Sequence, residues 1–103
     1  MKILVLAGGY DQIGLILELK KRGHEVILAD YFENPPAKKV ADAHYQISTL
    51  DVAAVKELAI TEKVDLITTA CTDQALLTVA KVSEELNLPT YIDYNKALLV
   101  TNK

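Results

Sequence analysis

The segment Lys2-Ile-Leu-Val-Leu-Ala7 has no polar position after its first residue, and it runs straight into the pair Gly8-Gly9. A strand wetted on one side alternates apolar and polar residues, whereas an unbroken apolar run of this length marks a central strand covered on both faces. A chain that opens this way must supply helices for two sides of one sheet. Further strand-length segments recur at 25–29 (EVILA), 44–47 (HYQI), 64–69 (VDLITT) and, after Pro89, 90–92 (TYI). Between them lie segments of helical period. Residues 12–22 carry Ile13, Ile16, Leu17 and Leu19 and end at Gly23, a residue suited to a left-handed helix stop. Residues 51–62 align Val52, Val55, Leu58 and Ala59 behind Ser48, Thr49 and Asp51 as cap oxygens, and 73–86 align Leu76, Val79, Ala80 and Leu86 behind Thr72 or Asp73. A short helical turn is expected from Asn34, where Asn-Pro-Pro offers a cap followed by prolines fit for a first turn.

Strands alternating with helices predict an α/β fold with a parallel sheet. Right-handed crossovers make an open Rossmann-like sheet, five strands in the order 3-2-1-4-5 with helices on both faces, the most economical arrangement. With 103 residues, half of them hydrophobic, residues 1–103 are expected to form a single domain. Ligands of such sheets gather at the carboxyl ends of the strands. That edge should be built from Gly8 to Gly14, Asp30 to Asn34, and Ala70 to Gln74.

Composition removes several functions. The formal net charge is −3 and the basic residues are scattered among acids, so no footprint for nucleic acid exists. The longest apolar runs fall far short of the ~20 residues a membrane span needs, and the start has no signal-peptide pattern. A single cysteine without a disulfide partner agrees with a cytoplasmic location. One Cys and two distant His make no metal cage, and no catalytic residue is assigned.

The turn Gly9-Tyr-Asp-Gln-Ile-Gly14 comes one letter short of the dinucleotide-binding pattern GxGxxG: Gly9 and Gly14 serve as first and third glycines, but Asp11 holds the middle place. Two unit charges ~4 Å apart repel by about 4 kcal/mol at an effective dielectric of ~20, so a pyrophosphate is disfavoured there. Asp11 reads as a cap of the first helix, or, facing the pocket, as a partner for a cationic group such as an amine. Asp30 stands where a ribose-binding acid would, though it follows Gly14 by 16 residues and also suits a loop cap.

The same turn resembles the GxGQLG or GxGELG motif that opens the N-terminal domain of ATP-grasp enzymes, with Gln12 and Gly14 matching and Asp11 departing. The resemblance continues through Gly23-His-Glu-Val26, Ala29-Asp30, Pro36-Ala37, Ala41-Asp42, Tyr45, Ile47-Ser48, Lys63-Val-Asp65, Leu86-Asn-Leu-Pro89 and Ala97 to Lys103. It covers the whole chain and is strongest to the carbamoyl-phosphate-synthetase-like group of stand-alone ligases. It implies the pre-ATP-grasp domain of a ligase that activates a carboxylate as an acyl phosphate with ATP and Mg²⁺ and passes it to an amine. It also implies that this domain alone is not catalytic and binds neither cofactor by itself. The expected partners are a small-molecule carboxylate or amine, the C-terminal ATP-binding lobes of the same enzyme, and as an option a second copy in a homodimer.

On that resemblance the substrate contacts fall on Gly8, Gly9 and Gln12. Backbone N–H groups would hold a carboxylate or phosphate oxygen, and the Gln12 amide would orient a polar group. Tyr10, Asp11, Asp30, Tyr31, Thr72 and Asp73 complete the candidate set by their place at the edge. Thr72 and Asp73, with Gln74, read more readily as helix-cap groups than as ligand contacts, and Cys71 as a small residue at a strand end with no base beside it. His24 and His44 read as surface turn residues. The competing reading is a free-standing Rossmann-like module that binds a nucleotide or nucleotide sugar without chemistry.

Overall fold

The computed structural model describes residues 1–70 and 74–89, the side chain of Asp11 apart. Four parallel strands are described: β1 (Lys2–Leu6), β2 (Glu25–Asp30), β3 (Ala43–Gln46) and β4 (Leu66–Thr68), in the order β3-β2-β1-β4. This is the expected Rossmann-like arrangement over its first four strands. The fifth strand expected at 90–92 lies outside the described residues. Leu4 of β1 stands opposite Ile27 of β2 and Ile67 of β4, so the middle strand is hydrogen-bonded on both sides.

Alternation along β1 sends its side chains to two cores. Leu4 and Leu6 join Val55, Leu58, Ala59, Ala75, Val79 and Val82 under α2 (Val52–Glu62) and α3 (Gln74–Glu85). Ile3 and Val5 join Ile16, Val26 and Leu28 under α1 (Tyr10–Lys21) and a 3-10 helix, Pro36–Lys39. The unbroken apolar run of β1 therefore has the physical cause assigned to it: both faces are dry. Leu17, expected on the inner face of α1, is instead exposed, and Leu15 packs against that core.

Helix ends explain the remaining differences. α1 begins at Tyr10, two residues before the expected start, because Gly9 takes the cap position with extended backbone. Asp11 is thus the second residue of the helix and not its cap. At the other end His24 N–H donates to Leu19 O and Gly23 N–H to Lys20 O, with Gly23 at φ 89°, the paired bonds of a Schellman stop. Asp51 is the cap of α2, its carboxylate accepting from Ala54 N–H at 3.1 Å. The turn expected from Asn34 is the 3-10 helix, with Pro35 in the cap position. His44 lies in β3 as the strand expected at 44–47 requires, but it is half-buried and not a surface turn residue, with its Nε2 atom out of reach of water.

Away from the carboxyl edge of the sheet, Lys2 at the start of β1 binds Glu62 at the end of α2 at 3.1 Å, and Tyr45 donates its hydroxyl to the same carboxylate. The Tyr45 hydroxyl first, and the Lys2 ammonium with it, holds the Glu62 carboxyl below its ordinary value.

Gly14 lies inside α1, is exposed, and a Cβ built on it meets nothing within 4 Å. It therefore does not provide the close helix–sheet packing of a third fingerprint glycine. Gly14→Ala should stabilise the domain by about 0.5–1 kcal/mol through helix propensity. A raised urea midpoint at unchanged slope would show this. A lowered midpoint would mean that the helix needs a bare backbone at that point.

Candidate functional site

The carboxyl edge is organised around Gly8. Its N–H donates to Asp30 Oδ2 at 2.6 Å, and its carbonyl accepts from Ala37 N–H at 2.8 Å. A Cβ on Gly8 would stand 2.8 Å from Pro35 Cβ and 3.0 Å from Leu28 Cδ2. The segment after β2 thus folds back onto the glycine turn, and only a residue without a side chain permits the approach. The preceding residue, Ala7, sits at φ 75° while its N–H donates to Ala29 O at 2.8 Å. A left-handed alanine costs roughly 1–2 kcal/mol, so local strain is held at the mouth of the turn by its neighbours.

Asp30 closes β2 and is 8% exposed. Besides Gly8 N–H, its carboxylate accepts from Phe32 N–H at 2.7 Å through Oδ1. One buried charge, balanced by two backbone donors, fixes both the glycine turn and the loop after β2. That loop is further tied by Lys38 Nζ, which donates to Glu33 O and Asn34 Oδ1, each at 3.1 Å. It presents Tyr31 and Phe32 to solvent, edge to face with ring centroids 5.7 Å apart. Tyr10, on the first turn of α1, is also exposed.

On the opposite side of the turn Gln12 is fully buried. Its Nε2 donates to Thr69 Oγ1 at 2.9 Å and its Oε1 accepts from Ala70 N–H at 3.0 Å. Thr69 Oγ1 in turn donates to Leu6 O at 2.9 Å. The carboxamide is therefore turned into the protein, between the ends of β1 and β4.

The structure brings Gly8, Gly9, Tyr10, Gln12, Asp30 and Tyr31 to one edge in two ways. Gly8, Gln12 and Asp30 are buried framework, whereas Gly9, Tyr10 and Tyr31 are exposed. Asp11 occupies the first turn of α1. Thr72, Asp73 and Cys71 lie outside the described residues. Sequence reasoning passed over Thr69, Phe32 and Pro35. The burial of Gln12 had a signal, since Gln12, Ile16 and Leu19 are spaced i, i+4, i+7 along one stripe. Among the described residues no three His, Cys, Asp or Glu side chains converge on a point where a metal could sit. No helix among them is long and apolar enough to cross a membrane.

Gly8 and Gly9 should answer differently to the same substitution. A Cβ on Gly9 meets nothing within 4 Å, and its φ of −68° suits any residue. Gly8→Ala should cost about 1–3 kcal/mol by overpacking against Pro35, while Gly9→Ala, which replaces a tolerated cap residue, should cost less than half as much. Equal losses in thermal denaturation would contradict the packing assigned to Gly8.

Comparison with known proteins gives a consistent set of relatives, although no family model matches the chain. Formate-dependent phosphoribosylglycinamide formyltransferase of Actinobacillus pleuropneumoniae serotype 3 is 38% identical over 84 residues, which is 82% of this chain and 21% of that protein. The chain thus spans about a fifth of the length of the curated relatives it matches. N5-carboxyaminoimidazole ribonucleotide synthetase from Thermotoga maritima superposes with a TM-score of 0.68 at 28% identity, over 82% of this chain and 23% of that one. Phosphoribosylglycinamide synthetase from Anaerococcus prevotii superposes with a TM-score of 0.83 over 95% of this chain and 25% of that one; its 22% identity speaks for the fold alone.

Proposed function

We propose that this chain, a homologue of the N-terminal domain of ATP-grasp carboxylate–amine ligases, forms the substrate-side wall of such a ligase and is not catalytic by itself. The observation that carries the reading is the 2.6 Å bond from Gly8 N–H to Asp30. A dinucleotide needs a glycine-turn N–H for its pyrophosphate and the acid at the end of strand 2 for its ribose. Here the two groups satisfy each other. Breaking a charge-assisted bond of this kind costs about 1.5–3 kcal/mol and would strip a buried carboxylate of a donor. This weighs against the free-standing nucleotide module.

The exposed part of the edge is the start of α1 at Gly9 and Tyr10, with Tyr31 beside it in the loop after β2. The positive end of a helix dipole suits a small carboxylate or phosphate group. Asp11, Thr72 and Asp73 remain in the proposal as further contacts, with Asp11 facing an amine. In such ligases ATP supplies the phosphoryl group that activates the carboxylate before the amine attacks. The reading assigns ATP and Mg²⁺ to lobes beyond this domain. This domain's part is to hold the small substrate and exclude water from it. The names of the relatives point to formate and phosphoribosylglycinamide as the first pair to try. The reading also places the enzyme in the cytoplasm and allows a homodimer.

The test is to express the gene with all coding sequence that follows Lys103 and to measure ADP release with ATP, Mg²⁺, formate and phosphoribosylglycinamide. The reading predicts turnover that requires both substrates, and none from residues 1–103 alone. Turnover by the 103-residue chain, or a gene that ends at Lys103, would contradict it.

A further inference from the structure

Gln12 has the most committed side chain at this edge: the resemblance implied a direct substrate contact for its amide, whereas the structure buries it and bonds it to Thr69 and Ala70. A fully buried carboxamide is tolerated only when its polar atoms are bonded, and an apolar residue of the same size would fill the space at lower risk. What the amide adds is direction. Oε1 takes the N–H of Ala70, the first residue of the loop after β4, and Nε2 donates to the hydroxyl of Thr69, which passes its own proton on to Leu6 O at the end of β1. The orientation is unambiguous in chemistry: turned over, the amide would set NH₂ against the N–H of Ala70, donor against donor. One side chain on α1 therefore joins the last residues of two adjacent strands at the place where their loops part.

We propose that Gln12 is a positioning residue: it fixes Thr69 and Ala70, just past the end of β4, against the glycine turn, and so sets the spacing between the two sides of the substrate edge. Its functional half rests on the ligase reading above; its structural half does not. Asp30 plays the equivalent part on the other side, joining the glycine turn to the loop after β2. The two ties together join the glycine turn to the segment after β2 and to Thr69 and Ala70 through buried side chains.

The experiment uses the full-length enzyme and the variants Gln12→Met, Thr69→Val and Thr69→Ser. Met keeps the volume and loses the amide's hydrogen bonds; Val removes only the hydroxyl; Ser restores it. Two quantities are read: hydrogen exchange at the Ala70 amide, with Leu4 in the core as control, and Michaelis constants for phosphoribosylglycinamide and ATP. In Gln12→Met, Ala70 should exchange at least tenfold faster while Leu4 changes far less. The constant for phosphoribosylglycinamide should rise about tenfold, with that for ATP within twofold and kcat within threefold. Thr69→Val should move both readouts the same way and Thr69→Ser neither. Unchanged Ala70 exchange, or equal rises in both Michaelis constants, would overturn the proposal. Should Gln12→Met fail to fold, Thr69→Val decides by the same criteria. Should the wild type not turn over phosphoribosylglycinamide, the substrate reading falls. Exchange at Ala70 then decides the tie alone, faster exchange upholding it and unchanged exchange overturning it.

Discussion

The carboxyl edge of this domain depends on the absence of a side chain at Gly8. Because nothing projects there, Pro35 lies against the turn, Ala37 N–H reaches the Gly8 carbonyl, and Asp30 comes close enough to take the Gly8 N–H. Each contact needs the others. Were the loop after β2 held away by even one carbon atom, the buried carboxylate would lose a donor, and burial of an under-satisfied charge is among the costliest faults a small domain can carry. The strained Ala7 next to it is maintained by the same enclosure.

This arrangement also separates the two uses to which a doubly wound sheet is put at its switch point. In one, glycine-turn N–H groups and the strand-2 acid wait for a dinucleotide. Here one of those N–H groups, that of Gly8, is bonded to the acid itself. The framework is rigid and polar, yet the surface it shows is small: the start of α1, one tyrosine on it, and an aromatic pair on the neighbouring loop. A surface of that kind suits one wall of a pocket whose other walls come from elsewhere. This chain matches about a fifth of the length of its curated relatives.

Much of the fold could be read from hydrophobic pattern. The unbroken run at Ile3–Ala7 demanded two covered faces, and helical period at 51–62 located α2 to within a residue. The start of α1 was misplaced because its cap, Gly9, has no side chain, so a search for a capping oxygen passed over it to Asp11. Gly14 fits the fingerprint by spacing but is exposed, on the side of α1 opposite the inward stripe of Gln12 and Ile16. The candidate site was legible as a location and less so as chemistry. Gly8, Gln12 and Asp30 were found at the right edge, but whether they face a ligand or the protein depends on Pro35 and Thr69, which reach them only through the tertiary fold. The stripe Gln12, Ile16, Leu19 carries the signal for an inward Gln12, but hydrophobic counting ignores it because the residue is polar, and the resemblance makes Gln12 a substrate contact instead.

The central claim is that the Gly8–Asp30 bond closes the nucleotide-binding use of the fold. The most direct measurement is titration of the ¹⁵N-labelled chain with NAD and with UDP-glucose, following the amide signals of Gly8, Gly9 and Phe32. The account predicts no saturable shift of these three signals at millimolar ligand. A saturable shift at micromolar concentration, with the Gly8 signal among those that move, would mean that the bond opens for a nucleotide and that the account is wrong.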